Sequence, residues 1–187
     1  RNGPWEALIK EECEAVRDGV GVLDLPGFSR FNLSGEGAAE YLRSKIAGAL
    51  PRVGRIALAY FPDSRGRILT EMSILRHAEE TFTLITAAVA QWHDFDVLKQ
   101  GMPAGLTLED HTRAYSTLIV TGPKSRALFE SLNTEADLSL GWLTHQAAKV
   151  AGVACALARV SFAGELGWEI HAATADVPAL YDAVISA

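Results

Sequence analysis

The sequence predicts an α+β protein with antiparallel or mixed sheets and flanking helices, and three observations carry that reading. Short β-rich runs recur from one end of the chain to the other. Hairpin-like loops, rather than long crossovers, dominate the connections between them, which argues against a doubly wound parallel sheet. Stretches with helical spacing fall between the strand runs.

The elements follow in order. Trp5, Leu8, Ile9, Glu12, Ala15 and Val16 keep a helical spacing behind Pro4, a residue suited to a first helical turn, so residues 4–17 read as a helix that Gly19 ends. Residues 20–25 and 28–33 read as two strands parted by the turn signal Pro26-Gly27. Ser34-Gly35-Glu36-Gly37 then starts an amphipathic helix through Ala38, Ala39, Leu42 and Ile46. Residues 55–61 and 67–76 form a predicted antiparallel pair around the loop Pro62-Asp63-Ser64-Arg65-Gly66. A strand at 82–88 and a helix at 89–100, terminated by Gly101 and Pro103, come next. Residues 114–121 are β-branched, and Gly122-Pro123 leads into a helix over 124–132. The last third gives strands at 147–150 and 153–162, a Gly-rich loop, a strand at 168–172 and a helix from Pro178. With no low-complexity linker and no fixed-period repeat, any two subdomains are expected to pack continuously.

Composition narrows the function classes. The chain has 187 residues, 49% of them hydrophobic, with 17 Lys+Arg against 23 Asp+Glu and a net charge of -6, so it has no cationic surplus to attract nucleic acid or a membrane surface. No apolar run reaches the roughly 20 residues of a membrane span, and no signal-peptide pattern opens the chain. Cys13 and Cys155 stand far apart with no second pair, which excludes a disulfide framework and a zinc site and fits a reducing compartment. The start at Arg1 and the stop at Ala187 within a helical pattern suggest a piece of a longer polypeptide.

The common cofactor motifs fail. Gly19-Val20-Gly21 precedes a strand, and Gly35-Glu36-Gly37 enters a helix without the third glycine of a dinucleotide fingerprint. The five histidines lack the i, i+4 spacing of helical metal ligands, so no metal site is expected. His93-Asp94 reads as an exposed polar pair at a helix start, or as two side chains that orient each other.

Two acids stand out. Glu169 follows Trp168 on an otherwise apolar strand, after glycines at 164 and 167 that let the backbone bend toward a ligand. A carboxylate in an aromatic pocket matches a flat heterocycle presenting adjacent N–H donors, whereas the plain alternative is a solvent-facing acid on an alternating strand. Glu71 sits mid-strand between apolar neighbours, where an acid is a poor β-former, and is either a functional group or an acid on a wet sheet face.

At these residues the sequence resembles the glycine-cleavage T-protein (aminomethyltransferase) family, and more closely its branch at the C-terminal end of dimethylglycine and sarcosine dehydrogenases. The resemblance runs nearly end to end. It rests on Ala15-Val16-Arg17 with Val20-Gly21-Val22-Leu23-Asp24-Leu25, the Gly35/Ala38 helix entry, residues 66–74, His93-Asp94, Gly122-Pro123-Lys124-Ser125-Arg126 and Gly164-Glu165-Leu166-Gly167-Trp168-Glu169. Trp168 and the acidic segment before Val20 favour the dehydrogenase branch.

The resemblance implies a tetrahydrofolate-binding domain that captures the one-carbon unit of an amine-derived iminium as 5,10-methylenetetrahydrofolate. The iminium would come from a flavin domain, with its FAD, outside this chain. Glu169 takes the position that grips the pterin's pyrimidine edge, with Phe162, Tyr60 and Trp168 as further cofactor-binding residues. Glu71 takes the position of the family's catalytic aspartate, its extra methylene changing reach by about a bond length. Phe162 stands where the family usually has tyrosine.

The implied architecture is a partial cloverleaf of ferredoxin-like character. A folate-binding subdomain is expected from residues 1–50 with 113–187, and a second, inserted, from 51–112, with folate between them and both glutamates facing it. The family's C-terminal β-barrel and an Arg-Leu-Glu pocket segment are expected beyond Ala187, so the fragment alone is expected to be inactive. The expected location is cytoplasmic, or the mitochondrial matrix in a eukaryote. The alternatives are a non-catalytic folate-binding or scaffold module, and a stand-alone T-protein-like demethylase or methyltransferase.

Overall fold

The computed structural model describes residues 3–187. In chain order the elements are α1 (Trp5–Asp18), β1 (Gly21–Asp24), β2 (Phe28–Ser34), α2 (Ala38–Lys45), β3 (Ile56–Pro62), β4 (Ile68–Ala78) and β5 (Thr81–Ala87). They continue with α3 (Gln91–Lys99), β6 (Thr107–Asp110), β7 (Tyr115–Thr121), α4 (Ser125–Ser131), β8 (Thr144–Val150), β9 (Val153–Arg159), β10 (Gly167–Ala173) and α5 (Val177–Ser186). The chain divides into two compact units: the residues up to Pro26 with Ser116–Ala187, and Gly27–Tyr115. Each holds a five-stranded antiparallel sheet, so the fold is α+β as the strand and loop pattern predicts.

In the Gly27–Tyr115 unit the strand order is β3-β4-β5-β2-β6. Alternation along each strand sends Phe31, Leu33, Ala59, Phe61, Met72, Ile74, Phe82 and Leu84 into one core, which Leu42 of α2 and Leu98 of α3 close. The β3–β4 hairpin is fixed at its loop, where Asp63 accepts the Arg65 and Arg67 amides at 2.8 and 2.9 Å and the Arg67 guanidinium at 2.8 Å. Those bonds, led by the Arg67 amide, hold the Asp63 carboxyl below its ordinary range.

The other unit orders its strands β1-β7-β10-β9-β8. Its core gathers Leu118, Val120, Phe129, Leu157, Trp168, Ile170, Leu180 and Val184 from strands and from α4 and α5. The segment Gly122-Pro123-Lys124-Ser125 ties three parts of this unit together. The Gly122 amide donates to the Leu166 carbonyl at 3.0 Å, the Lys124 amide to the Gly19 carbonyl at 3.2 Å, and the Ser125 hydroxyl to the Leu166 carbonyl at 3.0 Å. Gly122 has φ +125°, and a Cβ there would collide with the Gly19 carbonyl oxygen and come within 2.9 Å of the Val16 carbonyl oxygen. Only glycine fits.

Some boundaries differ from expectation. Residues 27–50 group with the Gly27–Tyr115 unit, not with 113–187, because β2 pairs along its whole length with β5 and also with β6. Pro26-Gly27 therefore does not join two paired strands: β1 pairs with β7 instead. Arg1 and Asn2, at the start of the expected range 1–50, lie outside the described residues. β6 was not expected, since Glu109 and Asp110 are poor β-formers. The ninth strand stops at Arg159 rather than 162, where the Gly-rich loop begins, and the eighth starts at Thr144 rather than 147.

Candidate functional site

The candidate residues fall in both units, and each group is built from its own strands.

β10 is anchored at its start by the Gly122–Ser125 contacts to Leu166, and its alternation then sorts its side chains. Trp168, Ile170 and Ala172 turn into the core. Glu169 and His171 share the opposite face. Glu169 keeps 23% of its side-chain surface exposed and His171 only 6%. His171 Nε2 lies 3.1 Å from Glu169 Oε2, and His171 Nδ1 lies 3.1 Å from Oγ1 of the buried Thr117 on β7. Opposite them on β9 stand only Ala158 and Ala156. The small neighbours leave the carboxylate accessible, with the imidazole beside it. This half-buried acid, with lone pairs to spare, suits paired N–H donors on a flat ring.

Trp168 corrects the expectation placed on it. It is fully buried, its Nε1 donates to Ser125 Oγ at 3.2 Å, and its ring meets Phe129 edge-on at 5.4 Å. A side chain with no exposed surface has none to offer a ligand, so Trp168 is a core residue that fixes the strand carrying Glu169. Arg159 lies over the same ring and donates from Nη1 to the Gly167 carbonyl at 2.9 Å. Burial, and then the nearby Arg126 charge, lower the Arg159 pKa. Phe162 is fully exposed in the loop before β10, beside an open concavity that also involves Trp142, Arg159 and Glu165.

In the Gly27–Tyr115 unit, Tyr60 and Glu71 stand directly opposite each other on β3 and β4. The pair therefore shares one face of the sheet, away from the core side of Met72 and Ile74, and both side chains are exposed. Below Glu71 the backbone is secured from the core side. Thr86 Oγ1 lies 3.5 Å from the Glu71 carbonyl and donates at 2.5 Å to Asp94 Oδ2, while His93 Nδ1 lies 2.8 Å from Asp94 Oδ1. His93 and Asp94 do orient each other, but Asp94 is fully buried, so the pair is not an exposed one.

Sequence reasoning singled out Glu169, Glu71 and Tyr60 but not Thr117, His171 or Thr86, whose side chains the structure places near them. His171 was weighed only for metal-ligand spacing. Its i, i+2 relation to Glu169 on a predicted strand was the signal that places it on the same face. Among the described residues no group of three His, Cys, Asp or Glu side chains is placed to hold a metal ion, and no helix is long and apolar enough to cross a membrane.

Two antiparallel sheets with their own helices and cores make an aminomethyltransferase-type fold. Aminomethyltransferase T from Bartonella henselae superimposes with a TM-score of 0.82 at 21% identity, over 94% of this chain and 48% of that one. The heterotetrameric sarcosine oxidase from Corynebacterium sp. U-96 matches with a TM-score of 0.72 at 19% identity, over 100% of this chain and 93% of that one. The chain belongs to the GCVT N-terminal domain family, whose model matches residues 1–187. Among its relatives, the mitochondrial dimethylglycine dehydrogenase of Rattus norvegicus is 28% identical over 100% of this chain and 22% of its own length. The aminomethyltransferase of Thermus thermophilus is 32% identical over 96% of this chain and 52% of its own length. The chain therefore spans about a fifth of the dehydrogenase and about half of the aminomethyltransferase.

Proposed function

We propose that this chain is the tetrahydrofolate-binding, aminomethyltransferase-like domain of an N-methylamine dehydrogenase acting on dimethylglycine or sarcosine. In this reading it works beside a flavin domain elsewhere in the same protein, in the cytoplasm or, in a eukaryote, the mitochondrial matrix. The match of the whole chain to 22% of the length of a dimethylglycine dehydrogenase supports the class. One observation carries the ligand: Glu169, a carboxylate 23% exposed on β10, has one oxygen beside His171 and small alanines opposite. Such a group accepts two parallel N–H bonds from a pyrimidine edge. Tetrahydrofolate, when bound, supplies the amine nitrogens that take up the one-carbon unit. Glu169 orients the ring. Phe162, exposed in the preceding loop, offers a face for stacking. Glu71, opposite Tyr60, holds or moves a proton at its carboxylate.

The test is calorimetry of tetrahydrofolate binding to the intact protein. Glu169→Ala weakens binding about a hundredfold, since it removes two hydrogen bonds to a charged acceptor. Binding equal to wild type sinks the assignment.

A second reading, a folate-binding module without transfer chemistry, is favoured by Phe162, which lacks the hydroxyl of a tyrosine, and by the exposure of Glu71.

A further inference from the structure

We propose that Ser125 and Arg159 are positioning residues for Glu169, pinning the three residues before it so that the acid stands on a fixed strand end; the inference rests on the reading of Glu169 as the ligand-binding acid. Glu169 is only the third residue of β10, and residues 160–166 ahead of it form a loop. A strand end beside a loop opens more readily than the middle of a sheet. A binding group tolerates about 0.5 Å of wander before affinity falls, so an acid placed there needs its backbone secured.

Each of the three preceding residues has its own fastening. The Leu166 carbonyl accepts the Gly122 amide and the Ser125 hydroxyl, both at 3.0 Å. The Gly167 carbonyl accepts Arg159 Nη1 at 2.9 Å. Trp168 Nε1 donates to Ser125 Oγ at 3.2 Å, and the Arg159 guanidinium lies over the indole, 5.5 Å from its centroid. Ser125 thus works in both directions. Its one hydroxyl proton goes to Leu166 while an oxygen lone pair takes the indole N–H, so a single side chain with no exposed surface joins the backbone of residue 166 to the side chain of residue 168. Arg159 follows Ala158, the partner of Glu169 in the β9–β10 ladder, which places the clamp beside the acid. Its planar fork can sit over a ring and still send an N–H to a carbonyl, a combination that a lysine ammonium on its flexible stem does not reproduce. Fixing the strand end beforehand reduces the ordering cost at the moment of binding.

The experiment is a double-mutant cycle on the intact protein, read by calorimetry with tetrahydrofolate and checked for folding by circular dichroism. Arg159→Lys, which keeps the charge and loses the fork, weakens binding about tenfold. Ser125→Ala, which removes the indole's acceptor, gives a loss of about the same size and carries the cycle if Arg159→Lys does not fold. In a Glu169→Ala background neither substitution weakens binding further, an outcome that a general disturbance of the fold would not produce. Amide hydrogen exchange of the unaltered protein adds a measurement free of any variant: the Glu169 amide exchanges as slowly as that of Ile170. A loss of the same fold in both backgrounds, wild-type binding by both variants, or exchange at Glu169 as fast as in the loop at 163–165 overturns the inference alone. Wild-type binding by Glu169→Ala overturns the reading beneath it, so the two failures are distinguished.

Discussion

Cys155 on β9 shows how a single burial sets a chemical property. Its thiol packs against the core of its unit, and the loss of solvation pushes it up to about 11 from an ordinary value near 9, against a small opposing effect of the Val150 backbone. The folded state thus binds the proton more tightly than the unfolded chain. Its contribution to stability is complete below about pH 9 and is lost as the pH climbs from about 9 to about 11. Urea midpoints measured across that interval fall more steeply for wild type than for Cys155→Ala, and parallel curves refute the assignment. Asp94 makes the complementary point. A carboxylate with no exposure persists inside the Gly27–Tyr115 unit because Thr86 and His93 both bond to it. Trp168, which looked like a ligand contact when read beside Glu169, obeys the same economy: its indole N–H finds Ser125 within the core.

At the level of elements, the glycine in the Gly122-Pro123 turn decides whether α4 and the start of β10 meet the end of α1. Gly122→Ala adds a Cβ against the Gly19 and Val16 carbonyls at φ +125° and destabilises by about 2–4 kcal/mol. Gly66→Ala is the control, because its φ of +78° is unfavourable but a Cβ there meets open space; it costs about 1 kcal/mol. Denaturant unfolding of the two variants separates collision from backbone preference, and equal losses contradict the packing account. The alternation of Met72 and Ile74 against Glu71 and Ser73 was readable before any coordinates, and so was the hairpin loop through Asp63. The partner of β2 was not. Seven residues of good strand sequence do not say which other strand completes their hydrogen bonds, and a turn signal at Pro26-Gly27 looks the same whether the chain doubles back or enters a second sheet.

For the molecule as a whole, the two readings of its function part at the fate of the one-carbon unit. On the transfer reading, in the intact protein supplied with an N-methylated amine and tetrahydrofolate, Glu71→Gln removes the carboxylate proposed to handle the proton and moves product from methylenetetrahydrofolate toward free formaldehyde, lowering transfer about a hundredfold. Folate affinity stays within about threefold of wild type, since the same reading puts the grip on the ring at Glu169. An unchanged partition of products favours the binding-only reading. Family membership along all of residues 1–187 fixes the fold and the class of chemistry to test.

By itself the sequence determined the α+β class, the order of most strands and helices, and the two acids worth testing, because side-chain periodicity and turn chemistry are local properties. Tertiary structure alone decided the company those residues keep. It drew Trp168 inward to Ser125, set His171 and Thr117 beside Glu169, stood Tyr60 across from Glu71, and gave β2 to the second sheet. These pairings join positions as distant in the chain as Phe28 and Ala87, and they follow from which strands share a ladder and which face of each strand its core claims.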